Sequence, residues 1–517
     1  MTERYTILEY LERTQRRFGE RTAVEDDRSS LTYSELVTTA KRAGTAIARR
    51  VPSGRPVPVL MEKSPRMLAV MLGAAYAGCF YVPVSPDNPP GRLEKILRVL
   101  DSPLVVTEEE TAGMCRDAGF GERALDAGKL TECEADEDLL AGIRTGMKET
   151  DILYALFTSG STGVPKAVAV SHGAVVRFIG HFTELFGITE QDCIGNQAPF
   201  DFDVSVKDIY SGILTGARIS LIPKTYFATP PRLLDYLCGR RVTVLIWAVS
   251  ALTLVSALKG LDYRVPKDVR MVMFSGEAMP PGQLRLWQAA LPEAEFINLY
   301  GPTEVTCNCT YYRVGRVFSD GEKIPAGRAF PGRTVFLMDE DGHEIAQPGR
   351  TGEICAAGES LASGYYRDRE QTEKKFIRFP VHGGGMQRVY RTGDLGYYDA
   401  SGELVFAGRK DFQIKHMGHR IELEEVESAM NAVPGVTKSC CVFDRKQNRI
   451  CGFYMGNVTG SQVRRYMKER VPVYMVPSGI RQVAAMPLTK NGKTDREYFL
   501  RLAVQARQEN DRGKEKI

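Results

Sequence analysis

Short apolar runs alternate with amphipathic stretches along much of the chain, and this alternation restricts the fold more than any other feature. The runs are rich in Val, Ile and Leu and are short enough to be single buried strands. A strand followed by a helix and another strand is the unit of a parallel sheet. The alternation therefore predicts an α/β fold with largely parallel sheets. Examples of such runs are residues 57–61, 102–107, 218–222, 242–247 and 269–274.

The pattern changes after about residue 324, where strand–turn–strand segments replace the strand–helix alternation. Asp341-Gly342 and Ser401-Gly402 are typical turn dipeptides between short apolar stretches. We therefore expect a smaller β-rich subdomain there. A compact α+β block follows, with helices predicted at residues 422–432 and 460–470 and strands at 438–444 and 449–455.

The chain has 517 residues, more than the roughly 250–300 that one hydrophobic core usually organises. Because Arg409-Lys410-Asp411 is a polar segment before the last block, we place the domain boundary there. The prediction is a large N-terminal domain at residues 1–410 and a small C-terminal domain at 411–506. The segment RQENDRGKEKI, residues 507–517, has almost no apolar residue and is predicted to be disordered.

Charge and cysteine content exclude several classes of protein. Lys and Arg number 68 against 64 Asp and Glu, and the net charge of +4 predicts no nucleic-acid-binding surface. The longest uncharged apolar run, residues 68–84, is shorter than the roughly 20 residues of a membrane helix and is broken by glycine and proline, so we expect no membrane insertion. The eleven cysteines show no zinc-like spacing, and the start resembles no secretory signal. We expect reduced thiols and a cytoplasmic protein.

A loop rich in Gly, Ser and Thr follows the apolar residues 152–157, as a phosphate-binding loop follows a strand. Backbone N–H groups, hydroxyls and a lysine are suited to an anion. The loop is not a Walker A motif, because Pro165 precedes Lys166 and Ala167 follows it. By itself it could also be a flexible linker. Its candidate ligand-binding residues are Thr158, Ser159, Gly160, Ser161, Thr162, Gly163 and Lys166.

Further motifs follow this loop in a characteristic order. They are NLYGPTEVT, GEICAAGESLASGYY, YRTGDLGYYDASGELVFAGRKDFQIKHMGHRIELEEVE and PLTKNGKTDR. In this order they resemble the adenylate-forming superfamily of acyl-CoA synthetases, luciferases and nonribosomal peptide adenylation domains. The similarity covers essentially residues 1–500 and is greatest to amino-acid adenylation domains, especially free-standing D-alanine–carrier protein ligases.

The resemblance implies an ATP site and a role for each motif residue. Asn298 and Tyr300 would contact adenine, Asp394 the ribose hydroxyls, and Arg409 the ribose or a phosphate. Thr303 would donate to the α-phosphate, and Glu304 is a hard oxygen ligand suited to Mg²⁺. Gly301 belongs to the same nucleotide site. Taken one at a time, the tyrosine could be a core residue and each charge a solvated surface group.

The resemblance also implies that the small domain rotates. Lys493 would stabilise the charge that develops when a carboxylate attacks the α-phosphorus of ATP. Asp411 matches the hinge position. The other orientation would present Gly418 and its neighbours to a tunnel for a pantetheine thiol.

Asp203 matches the position at which amino-acid-activating members keep a carboxylate for the substrate's ammonium group. The alternative is that Asp203 or Asp201 caps the helix that starts near residue 204. Lys207 lies where the side-chain pocket is read, and D-alanine ligases carry an apolar residue there. A lysine would suit a side chain with a carboxylate or another acceptor, or it could point to solvent. Other predicted pocket residues are Ser275, Ile297, Leu299 and Ala326.

The sequence thus predicts a stand-alone amino-acid ligase that uses ATP and Mg²⁺ and passes the aminoacyl group to the phosphopantetheine thiol of a carrier protein in trans. No carrier motif is recognised in the chain, which is why the carrier is expected as a separate partner. Three alternatives stay open: a D-alanine–carrier protein ligase for cell-wall teichoic acid, an acyl- or aryl-CoA ligase, and a catalytically silent binding protein with the same fold.

Overall fold

The computed structural model describes residues 6–160, 163–381, 385–488 and 494–514, with side chains up to residue 505. Of the predicted site residues, Ser161, Thr162 and Lys493 lie outside the described residues. The helices are α1 (Ile7–Phe18), α2 (Tyr33–Ala48), α3 (Pro65–Tyr76), α4 (Pro90–Leu100), α5 (Glu109–Asp117), α6 (Ala127–Glu132), α7 (Glu137–Gly146), α8 (His172–Leu185), α9 (Val204–Thr215), α10 (Pro230–Gly239), α11 (Val249–Ala257), α12 (Gly260–Tyr263), α13 (Pro281–Ala290), α14 (Arg369–Lys375), α15 (Leu423–Asn431), α16 (Gly460–Lys468) and α17 (Arg496–Lys514).

The strands of the N-terminal part are β1 (Thr22–Glu25), β2 (Ser30–Thr32), β3 (Pro56–Leu60), β4 (Phe80–Val84), β5 (Val105–Thr107), β6 (Ala124–Asp126), β7 (Ile152–Thr158), β8 (Lys166–Ser171), β9 (Cys193–Asn196), β10 (Arg218–Leu221), β11 (Val244–Ala248), β12 (Met271–Ser275), β13 (Glu295–Tyr300), β14 (Thr310–Arg313) and β15 (Arg328–Ala329). They are followed by β16 (Arg333–Met338), β17 (Glu344–Ile345), β18 (Gly352–Gly358), β19 (Gly364–Tyr365), β20 (Phe376–Val381), β21 (Gly385–Tyr398), β22 (Leu404–Arg409), β23 (Gln413–His416), β24 (His419–Glu422), β25 (Val436–Asp444), β26 (Arg449–Gly456) and β27 (Gly479–Gln482).

Two mixed sheets form the α/β part of the molecule. The described strands of the first follow the order β15-β14-β13-β12-β11-β9-β10-β1-β2, and those of the second β19-β8-β7-β4-β3-β5-β6. The pairs from β1 through β13 in the first sheet and from β7 through β6 in the second are parallel, and the antiparallel pairs lie toward the edges. The central strands are apolar throughout because helices cover both faces of a parallel sheet. The α/β prediction is confirmed.

The segment after residue 324 forms an antiparallel sheet in the order β17-β16-β18-β21-β20, with β22 paired to β21. This is the expected β-rich subdomain. Strands β23 and β24 form a separate hairpin after Asp411, and β25, β26 and β27 form the sheet of a small α+β unit with its own apolar core. We call residues up to 410 the N-terminal lobe and the described residues from Asp411 onward the C-terminal lobe.

The apolar run at residues 68–84 consists of two elements. Ser64 caps α3 by accepting from the Met67 N–H, and Pro65 occupies the first turn, where its missing N–H costs nothing. The chain passes from the helix to β4 through Gly78, which has a left-handed φ of +67°. Within the described residues, no helix combines the length and apolar character that crossing a membrane requires.

The structure of the last residues differs in part from the prediction made from their composition. Helix α17 extends through Lys514 and so includes residues 507–514, for which disorder is predicted. Residues 515–517 lie outside the described residues.

Candidate functional site

A cleft with a volume of about 130 Å³ lies where the central strands of the sheets end against the C-terminal lobe. Open α/β sheets place ligands at the carboxyl ends of their strands. The ends of β7, β12 and β13 reach the cleft, and the hairpin β23–β24 covers it. The predicted site residues that line it are Thr158, Ser159, Asp203, Ser275, Gly301, Thr303, Asp394, Arg409 and Gly418.

Other predicted residues lie behind the cleft wall. Ile297, Leu299 and Ala326 are buried in the hydrophobic core and are not among the residues that line the cleft. Asn298 donates from Nδ2 to the Pro325 carbonyl over 2.7 Å, which turns its amide toward that loop. Many of the residues that line the cleft were not predicted from the sequence, and Cys307 and Asn308 are two of them.

Cys307 and Asn308 reach the cleft through an unusual backbone path. Thr306 and Cys307 both have left-handed backbone conformations, with φ of 57° and 70°, and they reverse the chain after the short 3₁₀ turn at Thr303–Val305. Non-glycine residues rarely adopt this conformation, and it occurs often at functional sites. Cys307 Sγ then donates to the Asp203 carbonyl at 3.1 Å. Only the position directly after the NLYGPTEVT motif could have drawn attention to these residues.

Asp203 occupies the N-cap position of α9, but its side chain makes no capping hydrogen bond. The alternative role as a capping carboxylate at this position is therefore not realised. Its Oδ2 accepts from the Thr303 hydroxyl at 2.7 Å. Burial raises the pKa of Asp203, while nearby Lys207 and the Thr303 hydrogen bond oppose the shift. A cation placed against this carboxylate would remove the cost of its burial.

Lys207 is completely buried, so the reading in which it points to solvent is wrong. Its Nζ donates to Asn308 Oδ1 at 2.7 Å. Asn308 itself lines the cleft and is 2% exposed. The lysine thus lies one hydrogen bond behind the cleft wall and holds the orientation of the Asn308 amide.

A chain of hydrogen bonds connects Tyr300 to the segment predicted as a hinge. The Tyr300 hydroxyl donates to Asp394 Oδ2 at 2.6 Å. Arg409 pairs with the other oxygen of Asp394 and donates twice to Asp411, from Nε and Nη2. Fork-shaped pairing of this kind fixes both position and orientation. Asp394 therefore sits between the aromatic ring predicted for adenine and the interlobe segment.

The phosphate loop, which we define as residues 158–166, is engaged by the C-terminal lobe. Ser159 Oγ donates to the Arg420 carbonyl at 2.8 Å and accepts from the Glu422 N–H at 3.0 Å. The Gly160 N–H donates to Glu425 Oε2 at 3.1 Å. A Cβ at residue 160 would lie 1.9 Å from the Val164 carbonyl oxygen, so this position requires glycine.

Gly163 and Lys166 of the phosphate loop also make contacts. The Gly163 carbonyl accepts from Lys95 Nζ at 2.8 Å, and Gly163 has a left-handed φ of 78°. Lys166 Nζ lies 5.8 Å from the centre of the Tyr365 ring. A cation over an aromatic face is a favourable contact.

Glu304 is the predicted Mg²⁺ ligand, and its carboxylate is 1% exposed. Oε1 accepts from the Tyr365 hydroxyl at 2.8 Å and Oε2 from Arg420 at 2.7 Å. Burial alone would raise the pKa of Glu304, but the Arg420 guanidinium and the hydroxyl hold it below its usual value. A divalent cation does not fit beside a guanidinium on the same carboxylate, so in this arrangement of the lobes the residues present do not form a Mg²⁺ site.

The hairpin β23–β24 places five of its residues in the cleft, namely Gln413, Lys415, Gly418, His419 and Arg420. Gly418 donates its N–H to Glu277 Oε1 at 2.6 Å. His419 stacks on Tyr474 at 3.4 Å, and burial lowers the pKa of this imidazole to about 3, so the ring is neutral. Lys415 lies in the cleft, where burial lowers its pKa. This is the face that the motif resemblance assigns to thiol transfer.

Lys493 lies outside the described residues, but the residues on either side of it are described. Leu488 and Thr494 form an antiparallel bridge with each other. Arg496 then donates to Glu427 and to the Cys441 carbonyl inside the C-terminal lobe. Leu488, Thr494, Arg496, Glu427 and Cys441 are all absent from the residues that line the cleft.

The chain is similar to known proteins over most of its length. A family model described as AMP-binding enzyme matches residues 11–366, and one described as AMP-binding enzyme C-terminal domain matches 425–493. Tyrocidine synthase 1 from Brevibacillus parabrevis is 30% identical over 486 residues, which are 93% of this chain and 43% of that protein. Surfactin synthase subunit 1 from Bacillus subtilis is 30% identical over 497 residues, 95% of this chain and 14% of that protein. The chain thus spans less than half the length of either relative.

Solved structures show the same fold. An NRPS protein containing adenylation and PCP domains, bound to a vinylsulfonamide inhibitor, has a TM-score of 0.83 at 25% identity and covers 96% of this chain and 84% of its own. The Vibrio cholerae adenylation domain AlmE, in complex with glycyl-adenosine-5'-phosphate, has a TM-score of 0.83 at 22% identity. The match covers 98% of this chain and 99% of the AlmE chain.

Proposed function

The chain belongs to the AMP-binding enzyme family, and from this premise we propose that it activates an amino acid as the aminoacyl-adenylate and passes it to a carrier-bound thiol. It is an adenylate-forming adenylation domain of the NRPS type, so ATP is its nucleotide substrate. The identity of the acid and of the acceptor are our proposals. So are the two domains at residues 1–410 and 411–506, with Asp411 as hinge, and a cytoplasmic location.

The observation that carries the amino-acid proposal is the carboxylate of Asp203. It lines the cleft, and its described hydrogen-bond donor is the neutral Thr303 hydroxyl. An α-ammonium group would supply the positive charge that a buried carboxylate needs. An acyl- or aryl-CoA ligase has no such use for a carboxylate there.

Lys207 and Asn308 support a substrate side chain that carries a hydrogen-bond acceptor. Asn308 lines the cleft and its Oδ1 accepts from Lys207, so its NH₂ group is the part of the amide that can donate to a ligand. A carboxylate or amide on the substrate would meet this donor and the charge behind it. D-Alanine has only a methyl group, so the D-alanine ligase alternative is less well supported.

The residues of the chain have defined roles in this scheme. Tyr300, Asp394 and Arg409 would hold the adenosine, the phosphate loop would hold the phosphates, and Thr303 would connect the α-phosphate to Asp203. Lys493 would neutralise charge as the substrate carboxylate attacks the α-phosphorus and pyrophosphate leaves. Because the Mg²⁺ site is not formed with the lobes in this arrangement, we derive no step through the metal.

We assign the second half-reaction, transfer of the aminoacyl group to a thiol, to the present arrangement, in which the hairpin β23–β24 lies in the cleft. Gly418 lines the cleft, where a side chain would narrow the path for a pantetheine thiol. The thiol would attack the carbonyl carbon of the aminoacyl-adenylate, form a thioester and release AMP. We propose a phosphopantetheinylated carrier protein in trans as the acceptor.

The test is ATP–pyrophosphate exchange with the full chain across all L-amino acids, D-alanine and a set of aryl and fatty acids. We expect exchange with amino acids that carry polar acceptor side chains, and its loss in Lys493→Ala but not in the matched variant Lys490→Ala. Exchange only with acids that lack an amine would overturn the amino-acid proposal. Absence of exchange with every acid would favour the silent-protein alternative.

A further inference from the structure

The backbone that carries Cys307 and Asn308 to the cleft is strained, and we call residues 306–308 the pocket turn. Thr306 and Cys307 are consecutive non-glycine residues with left-handed φ of 57° and 70°. The Asn308 N–H donates to the Thr306 carbonyl at 3.0 Å and closes a three-residue turn around Cys307. Three-residue turns whose central residue has a positive φ are rare and strained. Such a conformation persists only where the surrounding structure holds it.

Two residues of the β-rich subdomain hold Thr306 at its side chain and at its carbonyl. The Thr306 hydroxyl donates to the Ser360 carbonyl at 2.6 Å. Arg333 donates from Nη2 to the Thr306 carbonyl at 3.2 Å and from Nε to Ser360 Oγ at 2.6 Å. Arg333 and Ser360 meet because Arg333 begins β16 and pairs with Gly358, the last residue of β18. The three residues thus form a closed set of hydrogen bonds around the pocket turn.

The position of Arg333 is costly for an arginine. Its guanidinium carbon lies 4.1 Å from the centre of the Phe178 ring, which is a favourable contact. Its Nη1, however, is buried and has no hydrogen-bond partner among the described residues. Burial lowers the pKa of Arg333 to about 10. Because a buried donor without a partner costs about 1–3 kcal/mol, the arginine indicates a role other than stabilising the fold.

The pocket turn decides where two cleft-lining side chains lie. Asn308 accepts from Lys207 through its side-chain oxygen, and both Cys307 and Asn308 line the cleft. Arg333 is not among the residues that line the cleft. A relaxed turn would therefore move the wall that faces the substrate side chain, although Arg333 itself lies behind that wall.

We propose that Arg333, together with Ser360, fixes the pocket turn and thereby sets which amino-acid side chains the pocket accepts. Arg333 is a positioning residue, because it acts through Cys307 and Asn308 and does not touch the substrate. The proposal rests on the proposed function, in which Asn308 meets the substrate side chain. It goes beyond that function by giving the β-rich subdomain a part in substrate selection.

The first experiment measures ATP–pyrophosphate exchange by the full chain carrying Arg333→Gln. The KM for the best amino acid should rise about tenfold, and its preference over apolar amino acids should fall about tenfold, as expected for loss of a hydrogen bond from a charged donor. The kcat and the KM for ATP should stay within about twofold, because Tyr300 is held separately by Asp394. Arg333→Lys keeps the charge and one donor, so it should recover part of the loss.

Arg240→Gln is the matched control for a loss of stability alone. Arg240 also lies over a ring, 5.5 Å from the centre of Tyr236, and donates to the Asp26 carbonyl at 3.0 Å. It does not line the cleft. Thermal unfolding compares the stabilities of the variants, and Arg240→Gln should keep the wild-type KM and preference. Equal changes in both variants, or a folded Arg333→Gln with wild-type KM and preference, would overturn the proposal.

Ser360→Ala keeps the test decisive if Arg333→Gln does not fold. It removes the hydroxyl that accepts from Arg333 Nε but keeps the carbonyl that accepts from Thr306. We expect a smaller rise in the KM for the amino acid, with the KM for ATP unchanged. A folded Ser360→Ala with the wild-type KM for both substrates would contradict the positioning role.

Hydrogen exchange tests the pocket turn without turnover. The Asn308 N–H is protected by the Thr306 carbonyl, so Arg333→Gln should accelerate exchange in residues 303–309 in the absence of nucleotide and amino acid. Arg240→Gln should leave this segment as in the wild type. Unchanged exchange in Arg333→Gln would overturn the proposal. If no acid supports pyrophosphate exchange in the wild type, the proposed function fails, while hydrogen exchange still decides whether Arg333 holds the pocket turn.

Discussion

Arg420 of β24 donates to Oε2 of Glu304 over 2.7 Å, and this bond joins the two lobes at the wall of the cleft. The carboxylate is 1% exposed and the guanidinium 17%. A buried carboxylate that loses its cation costs several kcal/mol. The docked arrangement of the lobes therefore depends on Arg420.

Arg420→Gln should reduce thiol transfer more than adenylation, because transfer requires the docked hairpin. We expect the ratio of thioester formation to ATP–pyrophosphate exchange to fall about tenfold or more, which corresponds to about 1.4 kcal/mol. Pantetheine can serve as the thiol, with the product measured by mass spectrometry. Arg378→Gln, at an exposed arginine of β20, is the matched control. An unchanged ratio in Arg420→Gln would contradict the role of this ion pair.

Asp203→Asn should impair activation of amino acids and spare acids without an amine. Loss of the charge that pairs with the ammonium group is expected to lower kcat/KM for the amino acid about 100-fold, since breaking a buried pair costs about 3 kcal/mol or more. The asparagine can still accept from Thr303, so the fold should be preserved. The measurement compares the best amino acid with its des-amino analogue. A similar loss for both acids would argue against ammonium recognition.

Lys207→Met should change the choice of amino acid. Methionine has a similar length but no charge, and it leaves Asn308 Oδ1 without its donor, at a cost of about 1–3 kcal/mol. We expect the preference for acceptor-bearing over apolar amino acids to fall at least about tenfold in the exchange assay. Lys267→Met, at an exposed lysine, should leave the preference as it is. If both variants keep the wild-type preference, Lys207 has only a structural role.

His172 should make the stability of the protein sensitive to mild acid. It is 1% exposed, and its Nδ1 accepts from the Ile7 N–H. Burial lowers its pKa from 6.5 to about 3. Between these values the unfolded chain binds a proton that the folded chain does not, so the stabilisation is complete above pH 6.5 and is lost as the pH falls toward 3.

The loss is about 1.4 kcal/mol per pH unit within that window, or about 2 kcal/mol between pH 7 and 5. His172→Gln keeps a polar side chain but cannot titrate there. Denaturant unfolding of both proteins at pH 7 and pH 5 gives the comparison. The wild type should lose about 2 kcal/mol more than the variant over this range. Parallel curves would mean that His172 is protonated in the folded state.

Strands such as β11 and β12 could be predicted from the sequence, because a short run of apolar residues with high β-propensity is typical of a buried strand. The motif residues Asp203, Thr303 and Asp394 were also found, and the structure brings them to one cleft. Ile297 and Leu299, predicted as pocket residues, lie in the hydrophobic core and are not among the residues that line the cleft. Alternate residues of a strand face opposite sides, and the sequence does not show which side of β13 meets the cleft.

Cys307 and Asn308 were missed for a related reason. They reach the cleft because Thr306 and Cys307 adopt left-handed backbone conformations, which cannot be predicted from residue type alone. Lys207 was identified as a pocket candidate, but its burial behind Asn308 depends on the position of a loop about 100 residues later in the chain.

The amino-acid sequence by itself determined the α/β class, the order of the lobes and the chemistry of the motifs, because hydrophobic periodicity and motif spacing are local properties of the chain. Only the tertiary structure decided which charges meet. Arg92 and Glu425 are separated by 333 positions, and Arg420 and Glu304 by 116. Each of these residues by itself is an ordinary surface charge. Packing of the two lobes removes water from them, and a charge without water requires a partner of the opposite sign.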